Sequence, residues 1–218
     1  MQTINVQNIQ EASVECKKII IGYLSSNDIS INIALTGGRF GKYFVTDLAD
    51  GQFPIEKLSI FQTDERFVPV NDKESVQGML VNGLNKIENI DPCFFNISLN
   101  PESCAKDMRE KINHIGLIGF DITVLSLGED GHLAGNFLNS INLDEMITYT
   151  KDAPKPPQER ISFSLDWISK SNLIILLVLG AEKEKAFKNF VEGSGMFSQL
   201  NNSAKKIIII KDELIVND

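Results

Sequence analysis

The sequence contains few of the residues on which covalent cross-links and metal sites depend. It has three cysteines, two histidines and one tryptophan among 218 residues. Cys16, Cys93 and Cys104 are odd in number and show no Cys-x-x-Cys spacing. We therefore expect reduced thiols in a cytoplasmic protein and no structural zinc. Two histidines without spaced partner ligands also argue against a tetrahedral metal site.

Long apolar runs and blocks of basic charge are absent as well. The apolar runs at residues 173–179 and 207–210 are far shorter than the ~20 residues of a membrane helix. Residues 1–18 lack a basic start followed by an apolar run, so we expect no signal peptide. The net charge of −8 disfavours nucleic-acid and membrane partners. No P-loop, GxGxxG motif or nucleophile elbow is present, so nucleotide binding and covalent serine catalysis lack support.

Five short apolar segments, rich in β-branched residues, alternate with segments that suit helices. Continuous apolar runs are typical of strands that are covered on both faces of a parallel sheet. The alternation predicts one doubly wound α/β domain over residues 1–218, with a mostly parallel sheet and helices on both faces. The predicted strands are residues 31–35, 58–61, 122–127, 173–179 and 206–210, and the predicted helices are residues 9–24, 41–49, 76–86, 104–113 and 182–192. Residues 152–157 include three prolines and are predicted to form a connecting loop or lid.

Polar loops follow the predicted strands, at the edge of the sheet where α/β proteins bind ligands. The loop Thr36-Gly37-Gly38-Arg39 joins a strand to a helix. Its two glycines permit a close approach of backbone to ligand, and the N-terminus of the next helix favours phosphate. On its own, the motif suits a tight turn without a ligand equally well.

Arginines are scarce in the chain and recur at these loops. Two of the four arginines, Arg39 and Arg66, stand in them, and Arg160 follows the proline-rich loop. Because guanidinium groups bind phosphate bidentately, the placement is consistent with an anion site. Ordinary pairing with the neighbouring acids is the alternative. Asp64 could supply a catalytic carboxylate or merely orient Arg66.

A further loop holds Asp130-Gly131-His132, directly after a predicted strand. Imidazole has an unperturbed pKa of about 6.5 and can take a proton from water near neutral pH. A neighbouring carboxylate can hold the ring in one tautomer, and Gly131 lets the loop fold tightly. The alternative is an Asp-Gly turn followed by an exposed histidine. Lys183, near a predicted helix start, could reach a phosphate or lie on a solvated helix face.

Taken in order, these stretches resemble the 6-phosphogluconolactonases, within a superfamily that also contains glucosamine-6-phosphate deaminase. The resemblance covers about residues 31–190. It rests on ALTGGRF (34–40), TDERFVP (63–69), LGEDGHLAGNF (127–137), KPPQERISFSL (155–165) and LVLGAEKEKAF (177–187). The stretch KPPQERI indicates the lactonase branch.

The resemblance implies an α/β sheet with helices on both sides. It also implies hydrolysis of 6-phospho-D-glucono-1,5-lactone to 6-phosphogluconate in the oxidative pentose phosphate pathway, without a metal or organic cofactor. His132 would be the general base, supported by Asp130, with Asp64 as a second candidate for that support. The implied binding residues are Thr36, Gly37, Gly38, Arg39 and Lys183 for the phosphate, Arg66 and Arg160 for phosphate or hydroxyl groups, and Gly131 in the histidine loop. We expect a monomer or a homodimer that binds a phosphorylated sugar lactone.

Two other functions compete with this interpretation. The deaminases usually carry a glutamate at the position of Phe137 and a tyrosine at the position of Arg66, and both differences favour the lactonase. A non-catalytic sugar-phosphate sensor on the same fold ranks third. Thr36 replaces a usual serine, and residues 134–138 depart from the usual Ala-Ser-Leu-Phe-Pro, which leaves the substrate preference open.

Overall fold

The main sheet is parallel and is built from six strands within the part of the chain that the structure describes. This computed structural model describes residues 2–27, 30–50, 53–85, 92–194, 200 and 204–215. The strands are β1 (Gln2–Val6), β2 (Ile31–Leu35), β3 (Leu58–Gln62), β5 (Ile122–Ser126), β9 (Leu173–Val178) and β10 (Ile207–Asp212). Their spatial order is β1-β10-β9-β5-β2-β3. The predicted doubly wound α/β fold is therefore confirmed.

A smaller antiparallel sheet stands beside the main one, in the order β4-β8-β7-β6. It consists of β4 (Asp64–Arg66), β6 (Ile141–Asn142), β7 (Ile147–Thr150) and β8 (Arg160–Phe163). The sequence did not predict this sheet, because strands of two to four residues are too short for an apolar pattern to stand out. Its β4–β8 pair carries Asp64, Arg66 and Arg160, so it contributes directly to the site.

Helices cover both faces of the main sheet. They are α1 (Ile9–Asn27), α2 (Gly38–Asp50), α3 (Val76–Leu84), α4 (Pro101–His114), α5 (Leu165–Ser169) and α6 (Glu184–Val191). None of these described helices is long and apolar enough to cross a membrane. Five of them match the predicted helices, with ends that differ by a few residues; α5 was not predicted. Lys86, the last residue of one predicted helix, lies outside the described residues.

Strand β9 shows why the apolar runs are continuous. All six of its residues are buried, and successive side chains enter opposite cores. Ile174, Leu176 and Val178 share a core with residues of α4, α5 and α6. Residues 173, 175 and 177 share the other core with residues of α1, α2 and α3. Each fully buried aliphatic side chain contributes about 1.5–3 kcal/mol.

The topology creates a natural binding edge between β2 and β5, which are neighbours in the sheet. The chain leaves β2 through α2 toward β3 on one side. It leaves β5 toward β9 on the other side. Ligands bind at such switch points because the diverging connections leave a crevice at the carboxyl ends of the strands. The loops after β2 and β5 are the ones that hold Thr36–Arg39 and Asp130–His132.

Candidate active site

A cavity of about 480 Å³ opens at this switch point. Every residue that the sequence predicted for the site lines it, except Gly131. The predicted residues that line it are Thr36, Gly37, Gly38, Arg39, Asp64, Arg66, Asp130, His132, Arg160 and Lys183. The other histidine, His114, ends α4 and does not line it. Residues that are up to about 147 positions apart in the chain thus face one space.

The loop after β2 depends on close backbone contacts. A Cβ atom on Gly37 would lie 2.7 Å from Val76 Cγ2, and one on Gly41 would lie 2.0 Å from the Thr36 carbonyl oxygen. Gly38 has a φ of 72°, a conformation that L side chains rarely adopt. Helix α2 begins at Gly38, so its free N–H groups and the positive end of its dipole lie at the cavity wall.

The histidine loop is a tight turn closed by backbone hydrogen bonds. Gly128 N donates to His132 O at 2.9 Å, and Gly131 N donates to Gly128 O at 3.1 Å. Gly131 has a φ of 92°. A Cβ atom on Gly128 would lie 2.2 Å from His132 Nδ1 and 2.7 Å from Asp130 Oδ1. Gly128 therefore makes room for the histidine and aspartate side chains, while Gly131 supplies the turn rather than a wall of the cavity.

Asp130 and His132 form a hydrogen-bonded pair, with Nδ1 and Oδ1 2.5 Å apart. Partial burial opposes ionisation of Asp130, but its hydrogen bonds and charge interaction with His132 prevail and lower the pKa of Asp130. The His132 ring also stacks on Phe137, with centroids 4.6 Å apart. The pair leaves Nε2 without a hydrogen-bond partner among the described residues, so this atom can accept a proton.

Arg66 and Arg160 lie directly opposite each other on β4 and β8. Arg66 Nη1 donates to the Glu74 carbonyl oxygen at 2.7 Å, and Arg160 Nη2 donates to the Lys155 carbonyl oxygen at 3.2 Å. The Nε atom of each arginine is buried without a hydrogen-bond partner among the described residues. Like charges at opposed strand positions repel each other. An anion bound here would reduce that repulsion and supply acceptors.

Two further cations contribute to the same cavity. Arg39 is exposed, whereas Lys183 is half-buried and donates from Nζ to Ser126 Oγ at 3.1 Å. Burial, opposed by Glu182 and reinforced by Arg39, lowers the pKa of Lys183. Burial also lowers the pKa of Arg160, and the charge of Arg66 adds to the effect. This combination of desolvation and like charge is typical of a site that binds an anion.

The two acids of the TDER motif have different surroundings. Asp64 lines the cavity and accepts a hydrogen bond from Thr63 Oγ1 at 2.8 Å. Glu65 is fully buried away from the cavity and accepts backbone N–H groups from Arg66, Val76 and Gln77 at 2.7–2.8 Å. Glu65 therefore joins β4 to the start of α3. Only Asp64 is placed to meet a ligand.

Sequence reasoning missed several residues of the cavity wall. Ser126, the last residue of β5, binds Lys183. Glu74 holds Arg66 through an ion pair of 3.2 Å. Lys155 of the proline-rich loop lies 2.5 Å from Glu129 of the histidine loop. Ser126 could have been found from its place at a strand end, but nothing in the sequence pairs Glu74 with Arg66 or Lys155 with Glu129.

The described residues contain no group of three or more His, Cys, Asp or Glu side chains that could hold a metal ion. The cavity combines the Asp130–His132 pair with the cations Arg39, Arg66, Arg160 and Lys183. The protein therefore belongs to the doubly wound α/β proteins whose functional site lies at the switch point of the parallel sheet.

Comparison with known proteins identifies the family within that class. Residues 7–204 match the sequence model of the family described as glucosamine-6-phosphate isomerases/6-phosphogluconolactonase, and the chain belongs to this family. It is 32% identical over 211 residues to probable 6-phosphogluconolactonase 2 of Oryza sativa subsp. indica, covering 84% of this chain and 75% of that one. It is 30% identical over 198 residues to the 6-phosphogluconolactonase of Synechocystis, covering 84% of this chain and 80% of that one.

Solved structures share the fold. The crystal structure of 6-phosphogluconolactonase from Thermotoga maritima matches 97% of this chain and 99% of its own with a TM-score of 0.85, at 21% identity. The structure of the enzyme from Trypanosoma cruzi matches 96% of this chain and 94% of its own, with a TM-score of 0.85 and 22% identity. The expected resemblance to the lactonases is thus confirmed at the level of family and fold.

Proposed function

We propose that the protein hydrolyses 6-phospho-D-glucono-1,5-lactone to 6-phospho-D-gluconate, the lactonase reaction of the oxidative pentose phosphate pathway. The observation that carries the proposal is that a hydrogen-bonded Asp130–His132 pair shares one cavity with Arg39, Arg66, Arg160 and Lys183. The named lactonases among its relatives support the same substrate. We further propose that residues 1–218 form one domain of this family.

The cations are proposed to bind the phosphate group. Thr36, Gly37, Gly38 and Arg39, together with the start of α2, would surround the phosphate, and Lys183 would complete this part of the site. Arg66 and Arg160, which line the cavity, would bind phosphate or sugar hydroxyl groups through their guanidinium groups. Binding energy from a phosphate far from the reacting carbonyl would position the lactone for attack.

His132 is proposed to activate water at the other end of the substrate. Nε2 would take one proton from water while the hydroxide oxygen bonds to the lactone carbonyl carbon, which forms a tetrahedral intermediate. The bond from this carbon to the ring oxygen then breaks, and the ring oxygen takes the proton from Nε2. Asp130 would hold Nδ1–H and stabilise the transient imidazolium. Asp64, on the same cavity wall, would support the histidine or orient Arg66.

Phe137 argues against a deaminase reaction at this site. Its ring stacks on His132, at the position where the deaminases usually carry a glutamate. A phenyl ring cannot transfer a proton, so this chain lacks that second acid–base group. The Asp130–His132 pair would suffice for hydrolysis of a lactone, because a lactone is an activated ester.

The decisive experiment measures hydrolysis of freshly generated 6-phosphogluconolactone against the spontaneous rate. We expect a large acceleration, and we expect His132→Gln to lower kcat by about 10²–10⁴-fold, the usual contribution of general acid–base catalysis. His114→Gln, which changes the histidine outside the cavity, is the matched control and should retain the wild-type rate. No acceleration by the folded wild-type protein would refute the proposed function and leave the sugar-phosphate sensor.

We also propose that the protein acts in the cytoplasm, as a monomer or a homodimer. Cys16, Cys93 and Cys104 are not joined by disulfides, which favours the reducing cytoplasm. A monomer or a homodimer would suffice, because every residue assigned to the site comes from one chain.

A further inference from the structure

Asn136 is a buried amide that the proposed reaction does not use. It is 3% exposed, does not line the cavity, and lies between the histidine loop and Phe137. Its Nδ2 donates to the Phe163 carbonyl oxygen at 2.9 Å and to Ser162 Oγ at 3.1 Å. Its Oδ1 accepts from Thr148 Oγ1 at 2.8 Å. One side chain thus connects the turn to two strands of the antiparallel sheet.

The turn that holds Asn136 is strained and tightly packed. Ala134 has a φ of 52°, a conformation that is unfavourable for a residue with a Cβ atom. Gly135 N donates to Ser162 Oγ at 3.1 Å. A Cβ atom on Gly135 would lie 2.9 Å from Ser162 Cβ and 3.3 Å from Asp64 Cβ. A strained turn persists only where its surroundings hold it, and here the hydrogen bonds to β7 and β8 do so.

The same turn sets the orientation of His132. Phe137 follows Asn136 directly, and its ring stacks on the imidazole at an angle of 28°. The other constraint on the imidazole is the hydrogen bond from Nδ1 to Asp130. A hydrogen bond at one nitrogen leaves the ring plane free to tilt about that contact. The stacked phenyl ring restricts this tilt, so the direction of Nε2 depends on where the turn places Phe137.

We propose that Asn136 is a positioning residue, whose amide fastens the turn 133–137 to β7 and β8 and thereby directs His132 Nε2 into the cavity. The inference rests on the proposed lactonase function for its kinetic consequence. Its structural consequence, the stacking of Phe137 on His132, can be measured whether or not the protein is a lactonase.

The kinetic test compares kcat with KM. Asn136→Leu keeps a similar size but removes every hydrogen bond of the amide. We expect kcat to fall about 10- to 100-fold, since misplacement of a reacting group by about 1 Å costs up to about 10²-fold. We expect KM to stay within about twofold, because the cations that bind the phosphate are unchanged. Thr148→Val removes the donor to Oδ1, together with the longer 3.5 Å contact of the same hydroxyl to the Ser162 carbonyl oxygen, and should lower kcat by a few-fold. Thr148→Ser keeps the hydroxyl and should restore kcat.

Thr123→Val is the matched control for loss of a buried hydrogen bond. Thr123 lies in β5, outside the cavity wall, and its Oγ1 is 2.7 Å from Oγ of Ser171, which precedes β9. This variant should unfold more easily but keep the wild-type kcat. If Asn136→Leu and Thr148→Val also lose stability while kcat stays within twofold of the wild type, Asn136 is only structural and the proposal is wrong.

Proton NMR of the two histidines separates this proposal from the proposed function. The phenyl ring current shifts the ring protons of His132, and His114→Gln assigns the remaining signal. We expect the His132 shift to move in Asn136→Leu and Thr148→Val, and to stay in place in Thr123→Val. An unchanged shift in both turn variants would overturn the positioning role, even in an active enzyme. A changed shift in a protein without lactonase activity would reject the function and retain the role. If Asn136→Leu does not fold, Thr148→Val against Thr148→Ser decides.

Discussion

At the scale of single residues, the chemistry depends on how Asp130 and His132 are packed together. Gly128 leaves the space that both side chains fill, since a Cβ atom there would collide with each of them. The resulting hydrogen bond holds Nδ1 of His132 against the carboxylate of Asp130. A single exposed carboxylate stabilises a fold only modestly, so we expect the main role of Asp130 to be the orientation of a base.

Asp130→Asn tests this role, because asparagine keeps the size of the side chain but not its charge. We expect kcat to fall by about 10²-fold or more, within the range of general acid–base catalysis. KM should change little, since Asp130 adds no positive charge to the phosphate site. Glu129→Gln, at the cavity rim, is the control and should keep a kcat close to that of the wild type. Equal losses in both variants would show a general effect of charge at the cavity mouth.

We also expect Asp130→Asn to change the pH dependence of the free energy of unfolding. The pKa of Asp130 is lower in the folded protein than its ordinary value, so the folded state binds its proton less tightly than the unfolded chain does. The ionised carboxylate therefore stabilises the fold above its unfolded pKa of about 3.9. That stabilisation is lost as the pH falls through the lowered pKa. The free energies of unfolding of the wild type and of Asp130→Asn, measured with urea, should differ most near neutral pH and converge in acid. A difference that does not change with pH would contradict a lowered pKa of Asp130 in the folded protein.

At the scale of secondary-structure elements, Glu65 connects the edge of the site to helix α3. It accepts N–H groups of Val76 and Gln77 in the first turn of the helix, and the N–H group of Arg66 in β4. Burial raises the pKa of Glu65, although these backbone N–H groups oppose the shift. The carboxylate also lies at the positive end of the α3 dipole. One buried acid thus holds Arg66 in register with α3.

Glu65→Gln tests this connection, because an amide has only one oxygen that can accept hydrogen bonds. At least one backbone N–H group then loses its partner, which costs about 1–3 kcal/mol. Urea unfolding should show that loss, and KM should rise as Arg66 moves. Glu110→Gln is the control: Glu110 is an exposed acid on α4 paired with Lys106 at 3.9 Å, and its loss should change stability by less than about 0.5 kcal/mol. Equal stability of both variants would refute the role of Glu65.

At the scale of the whole molecule, charge is distributed unevenly. The chain carries a net charge of −8, yet the cavity is lined by five cationic residues, Arg39, Arg66, Lys155, Arg160 and Lys183, which offset its five acidic residues. An acidic surface repels anions in general, while a cleft in which cations offset the acids can admit an anion. The fold achieves this by bringing together the carboxyl ends of β2 and β5 and the β4–β8 pair. The resulting attraction should be specific for the phosphate end of the substrate.

Salt dependence tests this distribution of charge. Raising NaCl from 0.1 to 1 M shortens the Debye length from about 10 Å to about 3 Å. We expect KM for the phosphorylated lactone to rise several-fold, with kcat within twofold, because screening weakens phosphate binding but leaves His132 unchanged. Glucono-1,5-lactone, which lacks the phosphate, is the control, and its slow hydrolysis should depend little on salt. The opposite outcome, an equal response of both lactones, would locate the salt effect outside the phosphate site.

The predictions from sequence succeeded where a local pattern carries the information. Strand β2 was predicted with its observed bounds, and the other apolar strands differ by one or two residues at their ends. Strand β1 was missed because it lies at the edge of the sheet and most of its side chains are exposed, so no buried run marks it. The antiparallel sheet was missed because its partners, such as Arg66 and Arg160, are far apart in the chain.

Local patterns were enough to predict the class of fold, the glycine loops at the strand ends and an acid two residues before a histidine. These features are local, because a turn, a cap or a buried strand depends on neighbouring residues. The folded arrangement was needed to see that Arg66 opposes Arg160, that Asp64 rather than Glu65 reaches the cavity, and that the Asn136 amide binds β7 and β8. Those choices depend on strand register and on side-chain packing between distant segments, and no pattern within one segment contains them.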